Sequence, residues 1–303
     1  MPSPSLPHRS IPPRSASKIL ALPLLLAAAL AMPLDARAEG SRQLATGGAS
    51  QIEGSAGGGL VPWAVIAGYG AREEIGVTAF ATRANTGDYR LDVHGAAVGL
   101  FNRLELSVAR QSLDLITLGP ALGLPGASLD QDIIGAKLRL GGDVLYSRWP
   151  QWALGVQYKR QRSFTIPGVV GARDDSDYDL YTSATKVWLA GAGGYNLVGN
   201  ATLRWSRANE TGLLGFGGDR GNGRQLTAEA SLAVLLERHW AVGAEFRQKR
   251  GHLSALPEDH WRNVFVGWFP NRHLSIVLAY VDLGTVATLD SQTGWYLSLT
   301  GGF

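Results

Sequence analysis

Residues 152–159 read Trp-Ala-Leu-Gly-Val-Gln-Tyr-Lys, so large apolar side chains alternate with small or polar ones. This period of two is typical of a β-strand that has one apolar face. The same alternation occurs in residues 134–140, 226–236 and 274–280. The longer runs have about ten residues, whereas strands of soluble proteins most often have roughly five or six. The pattern therefore predicts an all-β protein with long strands.

The predicted connections alternate between short turns and long loops. Short polar turns lie at residues 101–103, 237–239 and 270–273. Longer loops, rich in Gly and Asp, lie near residues 115–129, 163–177, 209–224, 251–260 and 285–293. This arrangement is typical of transmembrane β-barrels, which must close because unpaired backbone groups cannot face lipid. We predict a closed antiparallel up-and-down transmembrane β-barrel; the alternative is a secreted soluble β-sandwich or lipocalin-like barrel.

The number of strands is less sharply defined by the sequence. Candidate strands lie near residues 60–69, 74–83, 89–100, 104–114, 130–140, 151–162, 178–190, 196–208, 225–236, 240–250, 261–269, 274–284 and 294–303. Bacterial single-chain barrels have an even number of strands. A weak additional strand over Leu44–Glu53 would give 14, whereas one surplus candidate would leave 12. We predict 12–14 strands and favour 14.

Residues 1–38 are predicted to be a cleaved secretory signal peptide. Positive residues up to Lys18 precede an apolar segment, Ile19–Met32, and Ala36-Arg37-Ala38 forms an A-x-A cleavage sequence before Glu39. The apolar segment is shorter than the roughly 20 residues that a membrane-spanning helix needs. The chain has a formal net charge of +3, and this segment carries the whole excess, so the predicted mature chain is neutral. A basic surface for nucleic acid is therefore excluded.

The predicted mature chain has two parts. A Gly-rich N-terminal segment, residues 39–59, is expected to be a flexible tail, a plug or a weak first strand, and residues 60–303 form the barrel. The last strand carries Trp295, Leu297 and Leu299 in alternation and ends at Phe303. This ending looks like the C-terminal assembly signal of Gram-negative outer-membrane proteins. We therefore expect an outer-membrane location, with outer-membrane lipid, lipopolysaccharide and the barrel-assembly machinery as partners.

Several segments together resemble an uncharacterised proteobacterial family, domain of unknown function 3034. They are Ala45-Thr46-Gly47-Gly48-Ala49-Ser50-Gln51-Ile52-Glu53-Gly54, the glycine-rich stretch from Gly57 to Trp63, Gly68-Tyr69-Gly70, Asp88-Tyr89-Arg90-Leu91-Asp92-Val93, Gly155-Val156-Gln157-Tyr158-Lys159 and Leu278-Ala279-Tyr280-Val281-Asp282-Leu283-Gly284. The resemblance covers nearly the whole predicted mature chain. It implies an outer-membrane or periplasmic setting and implies neither an activity nor catalytic residues.

The sequence offers little support for an enzyme. It contains no H-E-x-x-H, P-loop or G-x-S-x-G motif and no cysteine, which excludes thiol nucleophiles and cysteine-ligated metals. His252 and His260 flank Glu258 and Asp259 in one loop, and residues 174–179 are rich in Asp, but neither has a recognised metal-ligand spacing. We expect no catalytic residues, no metal and no cofactor.

Charged residues on the polar faces of the strands are candidates for the lumen. They are Arg90, Asp92, His94, Glu105, Lys137, Arg139, Lys159, Lys186, Arg204, Glu229, Glu245, Arg247 and Lys249. Basic residues outnumber acidic ones in this set, and lumen charge tunes the selectivity of barrels. The leading hypothesis is a porin-like channel for small solutes, among which a basic lumen would favour anions. The alternatives are a non-conducting structural or interaction barrel whose lumen charges pair with one another, and then an outer-membrane hydrolase.

Overall fold

The computed structural model describes residues 49–70 and 73–302 and consists almost entirely of β-strands. The predicted signal peptide, its cleavage point and Phe303 lie outside the described residues. In chain order the strands are β1 (Ala49–Ser50), β2 (Ala56–Gly57), β3 (Ile75–Asn85), β4 (Tyr89–Leu100), β5 (Leu104–Leu115), β6 (Ser128–Gly141), β7 (Gln151–Gln161), β8 (Ser176–Ala192), β9 (Tyr195–Ser206), β10 (Gln225–Leu235), β11 (Trp240–Arg247), β12 (Trp261–Asn271), β13 (Leu274–Asp282) and β14 (Thr293–Gly302).

Strands β3 to β14 form a closed barrel in which each strand pairs antiparallel with its neighbours in the chain. Closure is made by β14, which pairs with β3 through residues such as Leu299 and Ala81. The barrel thus has 12 strands, and the preference for 14 is wrong. The candidate strand at 60–69 lies inside the lumen, and residues 49–53 contribute only the two-residue strand β1.

The connections differ at the two ends of the barrel. At one end, here the turn end, most connections are short, such as residues 101–103 and 272–273. The other end, here the loop end, carries the long connections, including two short helices, Leu118–Ala121 and Thr165–Val169, and a 3-10 helix, Glu210–Gly212. In the part of the chain that the structure describes, no helix is long and apolar enough to cross a membrane.

The outer wall carries a band of exposed apolar side chains. On β7 the burial alternates strictly, so that Trp152, Leu154, Val156 and Tyr158 face outward. Rings of Trp240 and Trp268 stack on adjacent strands near the turn end, with their centroids 5.8 Å apart. An apolar band between aromatic girdles is the pattern of a barrel that sits in a bilayer. The predicted direction of the alternation is confirmed for these strands.

The C-terminal strand continues the outer apolar band. Trp295 is 59% exposed, and Leu297 and Leu299 follow it on the same face of β14. The ring of Trp295 contacts Tyr280 edge-on, with a centroid separation of 5.1 Å. The three residues of the predicted assembly signal that are described therefore share the outer face of β14, where Leu299 is only 8% exposed.

On β4 the inner and outer faces are the reverse of the prediction. Arg90, Asp92 and His94 lie on the outer face, where Asp92 pairs with Arg83 at 2.6 Å. The inner row is apolar and includes Val93, which belongs to a buried cluster with residues of the N-terminal segment. Because something apolar fills the lumen here, the apolar residues of β4 point inward and the polar residues point outward. A one-residue shift of this kind exchanges the faces of a strand.

Lys186 on β8 also faces outward rather than into the lumen. It lies between the buried, inward-facing Thr185 and Val187. Its ammonium group donates hydrogen bonds to the carbonyl oxygens of Leu145 (3.3 Å) and Ser147 (2.5 Å), in the connection at residues 142–150. Its role in the structure is to hold this connection against the barrel.

Candidate functional site: the plugged lumen

Residues 49–68, here called the plug, form a hairpin inside the barrel. Almost every plug residue is buried. The strands β1 and β2 pair with each other, and the tip turns at Gln51–Ser55, where the Gln51 amide donates to the Ser55 carbonyl at 2.9 Å. The returning limb ends at Gly68, whose backbone is packed against Gly76 at the turn end of β3. The plug therefore leaves the lumen at the turn end, and its tip points toward the loop end.

Glu53, at the tip of the plug, is the centre of a charged layer. Its carboxylate lies 2.5 Å from Lys159 Nζ, 2.8 Å from Arg247 Nη2 and 3.1 Å from Arg204 Nη2. All four side chains are at most 3% exposed. Burial by itself raises the pKa of Glu53, but Arg204, Arg247 and Lys159 together hold that pKa well below its usual range. The plug is thus held by an ionised carboxylate among three cations of the wall.

Two carboxylates of the wall complete this layer. Asp179 lies 2.7 Å from Lys159 Nζ, and Glu229 lies 2.5 Å from Arg204 Nε. With Glu53, the layer contains three carboxylates and three cations, and all six are buried. Charges buried at this depth are tolerated when they are paired and hydrogen-bonded.

Two further wall carboxylates bind the backbone of the plug. Glu105 accepts hydrogen bonds from the amides of Ala56 (3.1 Å) and Ala67 (2.8 Å), and it pairs with Lys137 at 3.0 Å. Glu245 accepts hydrogen bonds from the amides of Gly59 (2.9 Å) and Leu60 (2.8 Å). Backbone groups of an irregular segment need such partners when water is excluded.

The fit of the plug against the wall is closest at Gly59. A Cβ atom at this position would overlap the hydroxyl oxygen of Tyr296, which projects inward from β14. Glycine therefore allows the plug backbone to lie directly on the wall. The Gly-rich composition of this segment reflects close approach to the wall.

Two loops, residues 207–224 and 248–260, close the loop end and are here called the lid. Asn209 Oδ1 accepts a hydrogen bond from the His252 amide at 2.8 Å, and the Glu210 amide donates to Glu258 Oε1 at 2.9 Å. Thr211 has a φ of 61°, in the left-handed region that β-branched residues avoid. Such strain persists only where the surrounding contacts fix the conformation.

The lid rests directly on the tip of the plug. The Thr211 carbonyl accepts hydrogen bonds from Lys159 Nζ at 3.0 Å and from Gln131 Nε2 at 3.4 Å. Lys159 also binds Glu53, and Gln131 donates to Gln111, which in turn donates to the Ile52 carbonyl of the plug. The closed lid and the inserted plug thus share wall residues.

Glu210 is a buried lid residue whose carboxyl group titrates near neutral pH. Its carboxylate pairs with Lys249, and Glu258 also lies near Lys249, at 3.4 Å. Burial and the negative charge of Glu258 outweigh the attraction of Lys249 and raise the pKa of Glu210 from 4.5 to about 7. The closed lid therefore retains a proton that the open lid releases over this pH range.

We expect the lid to loosen as the pH rises through about 7. Because the closed lid binds more protons than the open lid between pH 4.5 and 7, its stability falls as the pH increases across that window. Amide hydrogen exchange at Gly212 and Leu214 should be slower at pH 5.5 than at pH 8 after correction for intrinsic rates. Glu210→Gln should abolish the difference; an unchanged difference in this variant would contradict the assignment to Glu210.

The structure brings most of the predicted lumen residues together. Those that face the lumen or its mouths are Glu105, Lys137, Arg139, Lys159, Arg204, Glu229, Glu245, Arg247 and Lys249. Those on the outer face are Arg90, Asp92, His94 and Lys186. The sequence predicted an excess of positive charge in the lumen. This charge is neutralised, because the inward-facing cations pair with carboxylates. Sequence reasoning missed Glu53 and Asp179, although Asp179 continues the inward row of β8 that includes Tyr181.

A family model and several solved structures are similar to this chain. The family model described as "Protein of unknown function (DUF3034)" matches residues 46–300. No curated protein matches the chain. Solved structures that are similar include the NanC porin, with 7% identity, a TM-score of 0.45, and coverage of 75% of this chain and 98% of the porin.

Two other similar structures come from named bacteria. The outer membrane protein Omp33 of Acinetobacter baumannii shows 10% identity and a TM-score of 0.42, with coverage of 76% of this chain and 96% of that protein. An outer membrane channel from Pseudomonas putida F1 shows 13% identity and a TM-score of 0.39, with coverage of 76% and 94%. At such identities these proteins assign neither a solute nor an activity to this chain.

Proposed function

Because this chain belongs to the DUF3034 family of proteins of unknown function, we propose a function from its own geometry: a small-solute channel of the outer membrane that its plug closes at rest. The observation that carries the proposal is the placement of Glu53 among three wall cations. Apolar side chains of the plug pack against wall residues such as Val93, but its tip is held by polar groups of the wall, whose partners can be exchanged for water. A gate needs contacts of this reversible kind.

The outer wall supports a location in a bilayer. Leu154 and Leu232 are 49% and 54% exposed, and they belong to a continuous apolar band. Monomeric soluble proteins rarely expose apolar patches larger than a few hundred Å². A predicted cleavable signal peptide and the alternating C-terminal strand are consistent with the outer membrane of a Gram-negative bacterium.

The space around the plug supports passage through the lumen. A cavity of about 60 Å³ lies beside the plug toward the turn end, and one of about 50 Å³ lies beneath the lid. The plug therefore does not fill the barrel interior. Since the cations of the charged layer are paired, we propose only weak charge selectivity, in place of the anion preference expected from the sequence.

A second candidate is a non-conducting barrel that serves a structural or binding role. The observation in its favour is closure at both ends, by the plug and by the lid, with Lys159 joining the two. The two candidates differ in one measurable respect, which is whether the plug leaves its place under conditions in which the barrel stays folded.

A disulfide across the tip of the plug should distinguish them. A Cβ atom built on Gly54 lies 3.2 Å from Ala109 Cβ, close to the separation that a disulfide requires. The chain has no native cysteine, so the Gly54→Cys/Ala109→Cys variant has a single possible intramolecular bond. We expect discrete conductance steps in planar bilayers when this variant is reduced, and silence when it is oxidised.

Gly54 has a φ of +102°, which a cysteine rarely adopts, so the substitution strains the backbone. The reduced and oxidised forms of the double variant share this strain, and their difference in conductance therefore reports the disulfide alone. The Gly54→Cys single variant should conduct in both states. Silence of the reduced protein and also of a Glu53→Gln variant, which loses the central carboxylate that holds the plug, would establish the non-conducting barrel, provided that heat-modifiable migration shows insertion. Equal conductance in both redox states, with the crosslink verified by mass spectrometry, would show that the plug is not the gate.

A further inference from the structure

The cavity beneath the lid is bounded by the plug, the barrel wall and the lid. Its apolar lining comes from all three parts, including Ile52 and Leu60 of the plug, Leu113 of β5 and Leu213 of the lid. These side chains are buried and offer no polar group to a ligand. A molecule held here is therefore surrounded chiefly by hydrocarbon.

Six polar side chains interrupt this lining. Thr82, Thr86 and Tyr89 form hydrogen bonds within the protein. The other three, Glu210, Trp261 and Tyr296, are at most 5% exposed. Glu210 Oε1, Trp261 Nε1 and the Tyr296 hydroxyl have no hydrogen-bond partner within the described part of the chain. Buried polar atoms are nearly always hydrogen-bonded, and an exception calls for an explanation such as a water or a ligand. Three such atoms around one cavity point to a ligand that satisfies them.

The lining of the cavity selects against ions. Lys249 Nζ pairs with the Glu210 carboxylate and lies 4.4 Å from the centroid of the Trp261 ring. An ion in the cavity would exchange its hydration for a mainly apolar lining, to which neither Lys249 nor Glu258 contributes. A neutral molecule avoids this cost. The indole N–H and the phenol O–H can donate to its oxygen, and the carboxylate can accept from its hydroxyl.

The volume limits the size of the ligand. The cavity measures about 50 Å³, well below the roughly 150 Å³ of an engineered cavity that binds benzene. The closed site therefore admits only a ligand smaller than benzene. This matches a short-chain alcohol and is too small for a sugar.

From these observations we propose that the cavity binds small neutral amphiphiles, of the class of short-chain alcohols, and that these are the solutes of the channel. The inference rests in part on the proposed function, because the binding site lies on the path that the plug closes. The binding itself requires only the closed structure.

Quenching of Trp261 fluorescence by 2-bromoethanol tests the proposal directly. This probe has four non-hydrogen atoms, and its bromine quenches an indole on contact. Bromoethane lacks the hydroxyl group, and bromoacetate replaces it with a carboxylate. The chain contains no cysteine that these compounds would alkylate. The fluorescence of Trp261 is obtained by subtracting the fluorescence of the Trp261→Phe variant from that of wild-type protein.

We expect 2-bromoethanol to quench this difference signal to saturation at pH 5.5, where the lid is closed. Bromoethane should bind about tenfold more weakly, because it makes no hydrogen bonds in the site. Bromoacetate should show no saturation. The matched control is Trp240→Phe, which removes an outward-facing ring at the wall. Its difference signal should fall with probe concentration without saturating.

Two results would overturn the proposal. One is quenching of Trp261 that rises linearly with 2-bromoethanol, and the other is equal quenching by all three probes. If Trp261→Phe fails to assemble, Glu210→Leu in the wild-type tryptophan background should weaken the saturable component about tenfold. An unchanged affinity in that variant also contradicts the site. Saturable binding without conductance in bilayers would support the binding site and contradict the channel. Conductance without saturable binding would support the channel and contradict the binding site.

Discussion

Glu53→Gln is expected to release the plug from the charged layer and to raise the open probability of the barrel by about two to three orders of magnitude. The substitution keeps the shape of the side chain but leaves Lys159, Arg204 and Arg247 with only Asp179 and Glu229 as counter-charges. Breaking a buried ion pair by removing one partner costs about 3–5 kcal/mol. That cost falls on the inserted plug, because water can solvate the cations once the plug has left.

Single-channel recording of Glu53→Gln beside wild-type protein measures this effect. The matched control is Asp92→Asn, which neutralises a carboxylate on the outer face whose side chain is 30% exposed. Exposed ion pairs contribute roughly 0–1 kcal/mol, so the gating of this variant should equal that of wild type. Unaltered gating in Glu53→Gln, with normal folding, would mean that the charged layer does not hold the plug.

Leu232→Arg is expected to prevent stable insertion of the barrel, and Leu138→Arg should act in the same way. Both leucines face outward between the aromatic girdles, and they are 54% and 40% exposed. An arginine on the lipid face near the bilayer midplane costs roughly 2–4 kcal/mol. Refolding into lipid vesicles, followed by heat-modifiable gel migration, measures the fraction that assembles.

The depth dependence of this cost supplies a control on the same strand. Leu226 also faces outward and is 56% exposed, but it pairs across from Trp205 near the loop end of the wall. There the cost of an arginine falls to roughly 0–1 kcal/mol, so Leu226→Arg should assemble nearly as well as wild type. Equal assembly of Leu226→Arg and Leu232→Arg would place this wall outside a bilayer.

The period-two pattern predicted the barrel strands well because each of them separates two different environments. On β7 and β10 the lipid-facing row is apolar and the inner row is small or polar, so alternation identifies both the strand and its faces. The apolar run from Leu60 to Ala67 is different, since all of its residues are buried. It lacks alternation because it is surrounded by the barrel on every side, and a short apolar run of this kind does not distinguish a buried strand from an irregular buried segment.

A local sequence pattern does not predict the contacts inside the lumen, because these contacts join residues that are far apart in the chain. β4 was assigned the wrong faces because its inner residues, such as Val93, pack against apolar side chains of the plug. Glu53 went unnoticed because its partners are 106 and 194 residues away in the chain, at Lys159 and Arg247. A carboxylate in a Gly-rich segment acquires its role only when closure of the barrel brings those cations together.

The ammonium group of Lys159 touches the plug through Glu53 and the lid through Thr211 at the same time. When two movements share one contact, each changes the free energy of the other by the same amount. In the proposed channel, displacing the lid would therefore change the work of withdrawing the plug by the same amount as withdrawing the plug changes the work of displacing the lid. A single nitrogen atom thus couples the two closures of the lumen.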